Sequence, residues 1–183
     1  MMNSSKRFQS LYNSRSFGGQ IMVTDDETCI YVHSAIMVTV SEPWHKVFEM
    51  KTWYSTSSTL RYHVPLSGTV TVALVRYIYG FPFPDMSVKE WVDVVCAANQ
   101  YEMMDAIEDL CPSDTPLSRL VAWYQRDKSQ VALSRVVTHA MNLMATPNMD
   151  GKDQFTAFVG CDIQPFLSAM PADEACVFEL LCF

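Results

Sequence analysis

The run Cys111-Pro112-Ser113-Asp114-Thr115-Pro116 does most to limit what this chain can fold into. Prolines at both ends of such a short polar stretch stop any helix or strand entering it. Before the run, segments with the two-residue period of strands alternate with segments of helical period. Beyond it, every apolar pattern is helical. The expectation is therefore a mostly helical α+β chain: a mixed domain over residues 5–111, then an all-α region over 112–183.

In the first part, Phe8, Leu11 and Tyr12 fall at helical spacing and predict a short amphipathic helix within residues 5–15. Ile21, Met22 and Val23 read as a strand, the polar turn Asp25-Asp26-Glu27-Thr28 follows, and Cys29 to Val32 reads as the returning strand of a hairpin. Ser41-Glu42-Pro43 opens a helix, since Ser caps and Pro is tolerated in the first turn. That helix carries Trp44, Val47 and Phe48. Residues 51–58 read as a loop, and Leu60, Tyr62 and Val64 alternate with Arg61 and His63 as in a half-buried strand. Ser87 and Glu90 form a capping box ahead of the stripe Val88, Trp91, Val92 and Val95. A further helix is expected from about Glu102 to Leu110.

Two segments are ambiguous. His33 to Val40 has high β-propensity and, alone, extends the preceding strand. Val70 to Tyr79 is rich in β-branched residues, yet Val70, Leu74, Tyr77 and Ile78 also fit one helical face. Gly80 and the run Phe81-Pro82-Phe83-Pro84 end it.

In the second part, Leu117, Leu120, Val121 and Tyr124 form a helical stripe. Ser129 caps a helix carrying Leu133, Val136, Val137, Ala140 and Met144. Residues 146–152 read as a loop, and short helical pieces start near Phe155, Ile163 and Pro171. The chain stops at Phe183 inside an apolar helix, so this region is expected to be incomplete.

The 183 residues carry a net charge of −7 and no basic stretch, which argues against nucleic-acid binding by charge. No secretory signal and no membrane-length apolar run is present, so a cytoplasmic or nuclear protein is expected. The six cysteines show no Cys-x-x-Cys pair, and most of them sit in apolar stretches. They read as buried, reduced thiols rather than a disulfide framework or a zinc site.

No catalytic constellation emerges. The histidines His33, His45, His63 and His139 do not lie at metal-ligand spacing from one another, and His33 reads as a hydrogen-bonded structural residue rather than a base. Asp25, Asp26 and Glu27 read as a solvated turn, and Glu108-Asp109 as the solvated side of a helix. There is no nucleophile elbow, phosphate loop or dinucleotide fingerprint. Neither an enzyme nor a bound cofactor or metal is expected.

Several segments taken in order resemble a known family. Tyr31-Val32-His33-Ser34-Ala35-Ile36-Met37 and Ser41-Glu42-Pro43-Trp44-His45-Lys46-Val47-Phe48 look like the heart of a BTB/POZ domain. Tyr77-Ile78-Tyr79-Gly80 is similar to that family's Tyr-Ile-Tyr-Thr-Gly. Ala97-Ala98-Asn99-Gln100-Tyr101-Glu102-Met103, ending at Cys111, resembles its Ala-Asp-x-Tyr helix pair and closing Cys. Beyond the boundary, Ala140 to Met144, Phe155-Thr156-Ala157-Phe158 and the stretch from Glu174 to Phe183 resemble a BACK domain. No kelch-like or MATH-like segment stands beside them.

The resemblance implies a small sheet with helical hairpins, and it turns both ambiguous segments into helices buried by tertiary packing. It also implies a non-catalytic, self-associating adaptor for a cullin-RING ubiquitin ligase, acting in protein ubiquitination. The implied homodimer surface includes Phe8, Leu11, Tyr12, Ala35 and Ile36. The implied cullin surface includes Pro43, Trp44, Val47, Trp53 and Tyr54, although Trp44 equally fits the core. Cullin-binding members often carry an apolar-x-Glu motif where this chain has Thr52-Trp53-Tyr54-Ser55. An oligomerisation scaffold without cullin binding is therefore the alternative. The client protein is not specified by any of these residues.

Overall fold

A computed structural model describes residues 4–16, 19–49, 61–145 and 149–182. The chain divides into two compact units, residues 1–110 and 111–183, the break falling at the proline-bounded run.

Unit 1 combines a three-stranded sheet with helices. A 3₁₀ helix, Ser4–Leu11, leads into strand β1, Gln20–Thr24, and its hairpin partner β2, Cys29–Val32. Helices α1, Ser34–Met37, and α2, Glu42–Glu49, then carry the chain to β3, Arg61–Val64. The strand order is β2-β1-β3. β1 runs antiparallel to β2 and parallel to β3, which demands the intervening crossover. Register sets Ile30, Met22 and Tyr62 side by side on one face, and all three are buried, whereas Arg61 and His63 point outward. The expected hairpin and half-buried third strand are thus present. The parallel partner of β3 was not legible, because alternation marks a strand without naming its neighbour.

Helices α3, Gly68–Ile78, α4, Val88–Gln100, and α5, Met104–Leu110, complete the unit. Both ambiguous segments are helical, against their local propensity. In α3 the residues Val70, Thr71, Ala73, Leu74 and Val75 are all buried, and that burial outweighs the modest helix penalty of β-branched side chains. The capping box at Ser87 and Glu90 forms as expected, and its hydrogen bonds hold the Glu90 carboxyl below its ordinary range. Trp91 Nε1 donates to the Leu110 carbonyl at 3.0 Å, which pins α5 to α4.

Unit 2 is all helical: α6, Leu117–Asp127, α7, Gln130–Ala145, a 3₁₀ helix Met149–Phe158, α8, Gln164–Ala169, and α9, Ala172–Cys182. Ser129 caps α7 by accepting from the Ala132 amide, while its hydroxyl donates to Asp127. The core is a phenylalanine cluster. Phe158 and Phe178 meet edge to face at 4.8 Å, Phe158 and Phe166 at 5.0 Å, and Tyr124 closes on Phe166 at 4.9 Å. His139 in α7 is held below its ordinary pKa by burial, partly offset by a hydrogen bond that its ring makes to Gln154.

The cysteines differ from expectation in exposure. Cys29, Cys96, Cys111, Cys161 and Cys182 form no disulfide; of these Cys111 and Cys182 are buried, Cys96 and Cys161 are half-buried, and Cys29 is exposed in the edge strand β2. Burial raises the Cys182 thiol to about 11, so it behaves as a small hydrophobe. Among the described residues, no helix is long and apolar enough to cross a membrane.

Candidate interaction surfaces

Inside unit 1, residues 31–37 meet residues 77–80, and residues 41–48 meet residues 97–103. His33, at the end of β2, is buried and fully engaged. Its Nε2 lies 2.7 Å from the Ser16 carbonyl, which can only accept, so Nε2 carries the proton. Nδ1 is then the acceptor for the Tyr79 hydroxyl at 2.9 Å, and the His33 amide donates back to that hydroxyl oxygen at 2.8 Å. Burial pushes the Tyr79 phenol up to about 12, partly offset by the His33 amide. With both ring nitrogens occupied, His33 locks the segment after the first 3₁₀ helix, the end of β2 and the end of α3 together.

Trp44 in α2 makes the second convergence. It is 0 % exposed, stacks on Tyr101 with ring centroids 4.2 Å apart, and donates from Nε1 to the Met103 sulfur at 3.4 Å. Trp44 is therefore a core residue and offers nothing to a partner. The helical period explains this: Trp44 and Phe48 share the inward face of α2, and Phe48 packs on Tyr62. Pro43 and Val47, flanking that face, are half-buried. Trp53 and Tyr54 lie outside the described residues.

The residues expected on a self-association face are placed as follows. Phe8 is 41 % exposed and Ala35 is exposed; Leu11, Tyr12 and Ile36 are half-buried. Tyr12 meets Tyr79 and Phe81 edge to face at 6.0 and 5.5 Å, and the Arg76 guanidinium lies over the rings of Phe81 and Tyr12. Gln9 Nε2 donates to the Gly80 carbonyl at 2.6 Å. The first 3₁₀ helix is thus tied to the end of α3 and leaves Phe8 outward.

The turn after β1 is more than a solvated loop. Asp26 accepts from the Thr24 hydroxyl, the Thr28 amide and, at 2.8 Å, the Gly68 amide at the start of α3. These bonds, with Thr24 first and Gly68 next, hold its carboxyl far below the usual range. The approach is close: a Cβ at position 68 would stand 2.8 Å from Thr28 Cβ, so only glycine fits. Asp26 is a hinge pin between hairpin and helix.

One surface feature was not anticipated. A groove of about 830 Å³ opens between the C-terminal end of α3 and the turn from α4 into α5, with Gly80, Phe81, Glu102, Met104, Asp105 and Asp109 among its walls. Both helices end in the same pattern. The Phe81 amide reaches the Arg76 carbonyl and the Gly80 amide reaches Tyr77; likewise Met103 reaches Ala98 and Glu102 reaches Asn99. Gly80 takes the left-handed conformation at φ 85°, and Glu102 takes it at φ 53°. Tyr77 donates to Asp109 at 2.9 Å, and burial, then the Asp109 hydrogen bond and the charges of Asp109 and Asp105, raise its phenol strongly. Met104 is 47 % exposed. The signal was present in Glu102-Met103-Met104-Asp105, but nothing in spacing shows that it lies beside the end of another helix.

Among the described residues, no three His, Cys, Asp or Glu side chains gather as a metal site. In comparisons with known proteins, no protein-family model and no curated protein matches this chain.

Proposed function

We propose that the chain is a non-catalytic interaction module of the BTB/POZ type followed by a BACK-like helical region. It self-associates and acts as an adaptor for a cullin-RING ubiquitin ligase. The observation that carries the reading is the convergence of the resembling segments. His33 bonds Tyr79, and Trp44 stacks on Tyr101, so four stretches distant in sequence share two buried contacts. The two-unit division at residue 110 agrees with the domain order that the resemblance implies. A non-catalytic role is favoured by His33, whose ring nitrogens are both committed to the fold.

In this reading Phe8, Leu11, Tyr12, Ala35 and Ile36 form the homodimer surface, and Pro43, Val47, Trp53 and Tyr54 face the cullin. Trp44 supports that face from beneath. The burial of Trp44 favours a second reading, a self-association scaffold without cullin binding, because it removes the largest anchor proposed for the cullin face.

Calorimetric titration of the full chain with the N-terminal domain of a BTB-binding cullin separates the two. The adaptor reading expects micromolar or tighter binding that is lost in Val47→Glu or Tyr54→Ala while thermal stability is kept. A well-folded self-associating chain that binds no cullin supports the scaffold. A well-folded monomer that binds none overturns both.

A further inference from the structure

Two cysteines of unit 2 play no part in the surfaces described above. We propose that Cys161 and Cys182 form a reversible disulfide, which ties the end of α9 to the turn after the 3₁₀ helix Met149–Phe158.

Placement is the first argument. Phe158 and Phe178 meet edge to face at 4.8 Å, so the end of that 3₁₀ helix lies against α9. A cysteine follows each of these rings at the spacing of a helical turn. The Cys161 amide donates to the Phe158 carbonyl at 2.9 Å. Cys182 comes one turn after Phe178, and both are buried on the same face of α9. Cys161 also lies in the short connection between Phe158 and Phe166. Those two rings meet at 5.0 Å, and Phe166 lies 6.4 Å from Phe178. The connection is therefore folded back toward that face of α9. The sulfurs are near enough to feel one another: after burial, the charge of Cys161 is the second cause that raises the Cys182 thiol.

The second argument is that the two thiols suit different roles. Cys161 is half-buried, and its sulfur accepts from Gln125 Nε2 at 2.7 Å and donates to the Ala157 carbonyl at 3.5 Å. It is reachable from solvent and held in one orientation, as an attacking thiol needs. Cys182 is buried and is reached only through Cys161. The oxidant is a low-molecular-weight disulfide of the glutathione type. The Cys161 thiolate attacks one of its sulfurs, the oxidant's S–S bond breaks, and one thiol leaves with the Cys161 proton. Cys182 then loses its proton and attacks the Cys161 sulfur. The mixed disulfide breaks, and the second thiol leaves with the Cys182 proton. The two protein thiols are oxidised, and one disulfide is reduced to two thiols. Cys161 carries no charge in the mixed disulfide, so its opposition to ionisation of Cys182 is gone when the second step begins.

The full chain is equilibrated with oxidised and reduced glutathione, quenched with acid, digested without reduction and mapped by mass spectrometry. A peptide pair joined through Cys161 and Cys182, and released by dithiothreitol, is expected. The bridge closes a loop of about 20 residues, so the melting temperature should rise by about 4 °C or more on oxidation. Cys161→Ser, in a half-buried turn, should leave the reduced chain within about 2 °C of the wild type and abolish both the bridge and the rise. Cys182→Ala should leave Cys161 as a glutathione adduct. Cys29→Ser should keep the bridge and the rise. A wild-type chain that carries only the adduct at Cys161, that joins Cys161 to a different cysteine, or that stays unmodified would overturn the proposal. So would a rise that survives Cys161→Ser. The assay needs neither self-association nor a cullin, so its failure is separate from theirs.

Discussion

Helices α3 and α4 stop in the same way and for different reasons. Each ends on a tyrosine, Tyr79 or Tyr101, followed by a left-handed residue and the same pair of hydrogen bonds. At α3 the stop is built for stability. Tyr79 is bonded to His33, Gly80 takes the left-handed turn freely, and Arg76 supplies a base in the last turn. At α4 the tyrosine is held by stacking on Trp44, the left-handed residue is Glu102, and no base is near in the last turn. Both tyrosines are anchored in the core. Only the exposed position after the second departs from what stability favours, and it is the one that faces the groove.

Substitutions at the two ends test this contrast. Trp44→Ala removes the stack that holds Tyr101 and should cost about 3–5 kcal/mol in chemical denaturation, as for other buried aromatics. A loss below about 1 kcal/mol would mean that Trp44 is not the core residue described. Tyr79→Phe keeps the ring but strands the His33 amide and Nδ1, and should cost about 1–3 kcal/mol. The next pair differs in sign. Gly80→Ala should destabilise by about 1–2 kcal/mol, whereas Glu102→Gly should stabilise by about 1 kcal/mol. Destabilisation by both would contradict the view that Glu102 is kept against stability.

The smallest effect lies away from both ends, at the start of α3. Asp26 has a depressed folded pKa, so its contribution is present above the unfolded value near 4 and is lost as pH falls below it. The melting-temperature gap between the wild type and Asp26→Asn should therefore shrink on acidification below about pH 4 and stay constant from about pH 6 to 8. A gap independent of pH throughout would contradict the hydrogen-bonding role of the ionised carboxylate.

The contrast between the helix ends also shows what the sequence makes legible. Gly80 signals a helix stop, and the Ser87–Glu90 box signals a start, because each residue type matches its local geometry. Glu102 carries no such signal, and α5 was expected to begin there rather than at Met104. Tertiary burial overrides propensity in α3, so its helical state is not legible in its β-branched composition. Trp44 was legible as a helix residue but not as an inward one until Tyr101 and Met103 were seen beneath it. Asp26 read as solvated because its partner Gly68 is remote in sequence. The groove is the extreme case: its acidic rim belongs to one short run, but its other wall is the end of a separate helix.

The central claim is a self-associating interaction module, and the mass of the full chain in solution tests it most directly. Light scattering across a concentration series should give twice the chain mass, and Phe8→Asp should shift it toward the monomer while leaving the melting temperature within a few degrees. A wild-type chain that is folded and monomeric at every concentration would contradict the account.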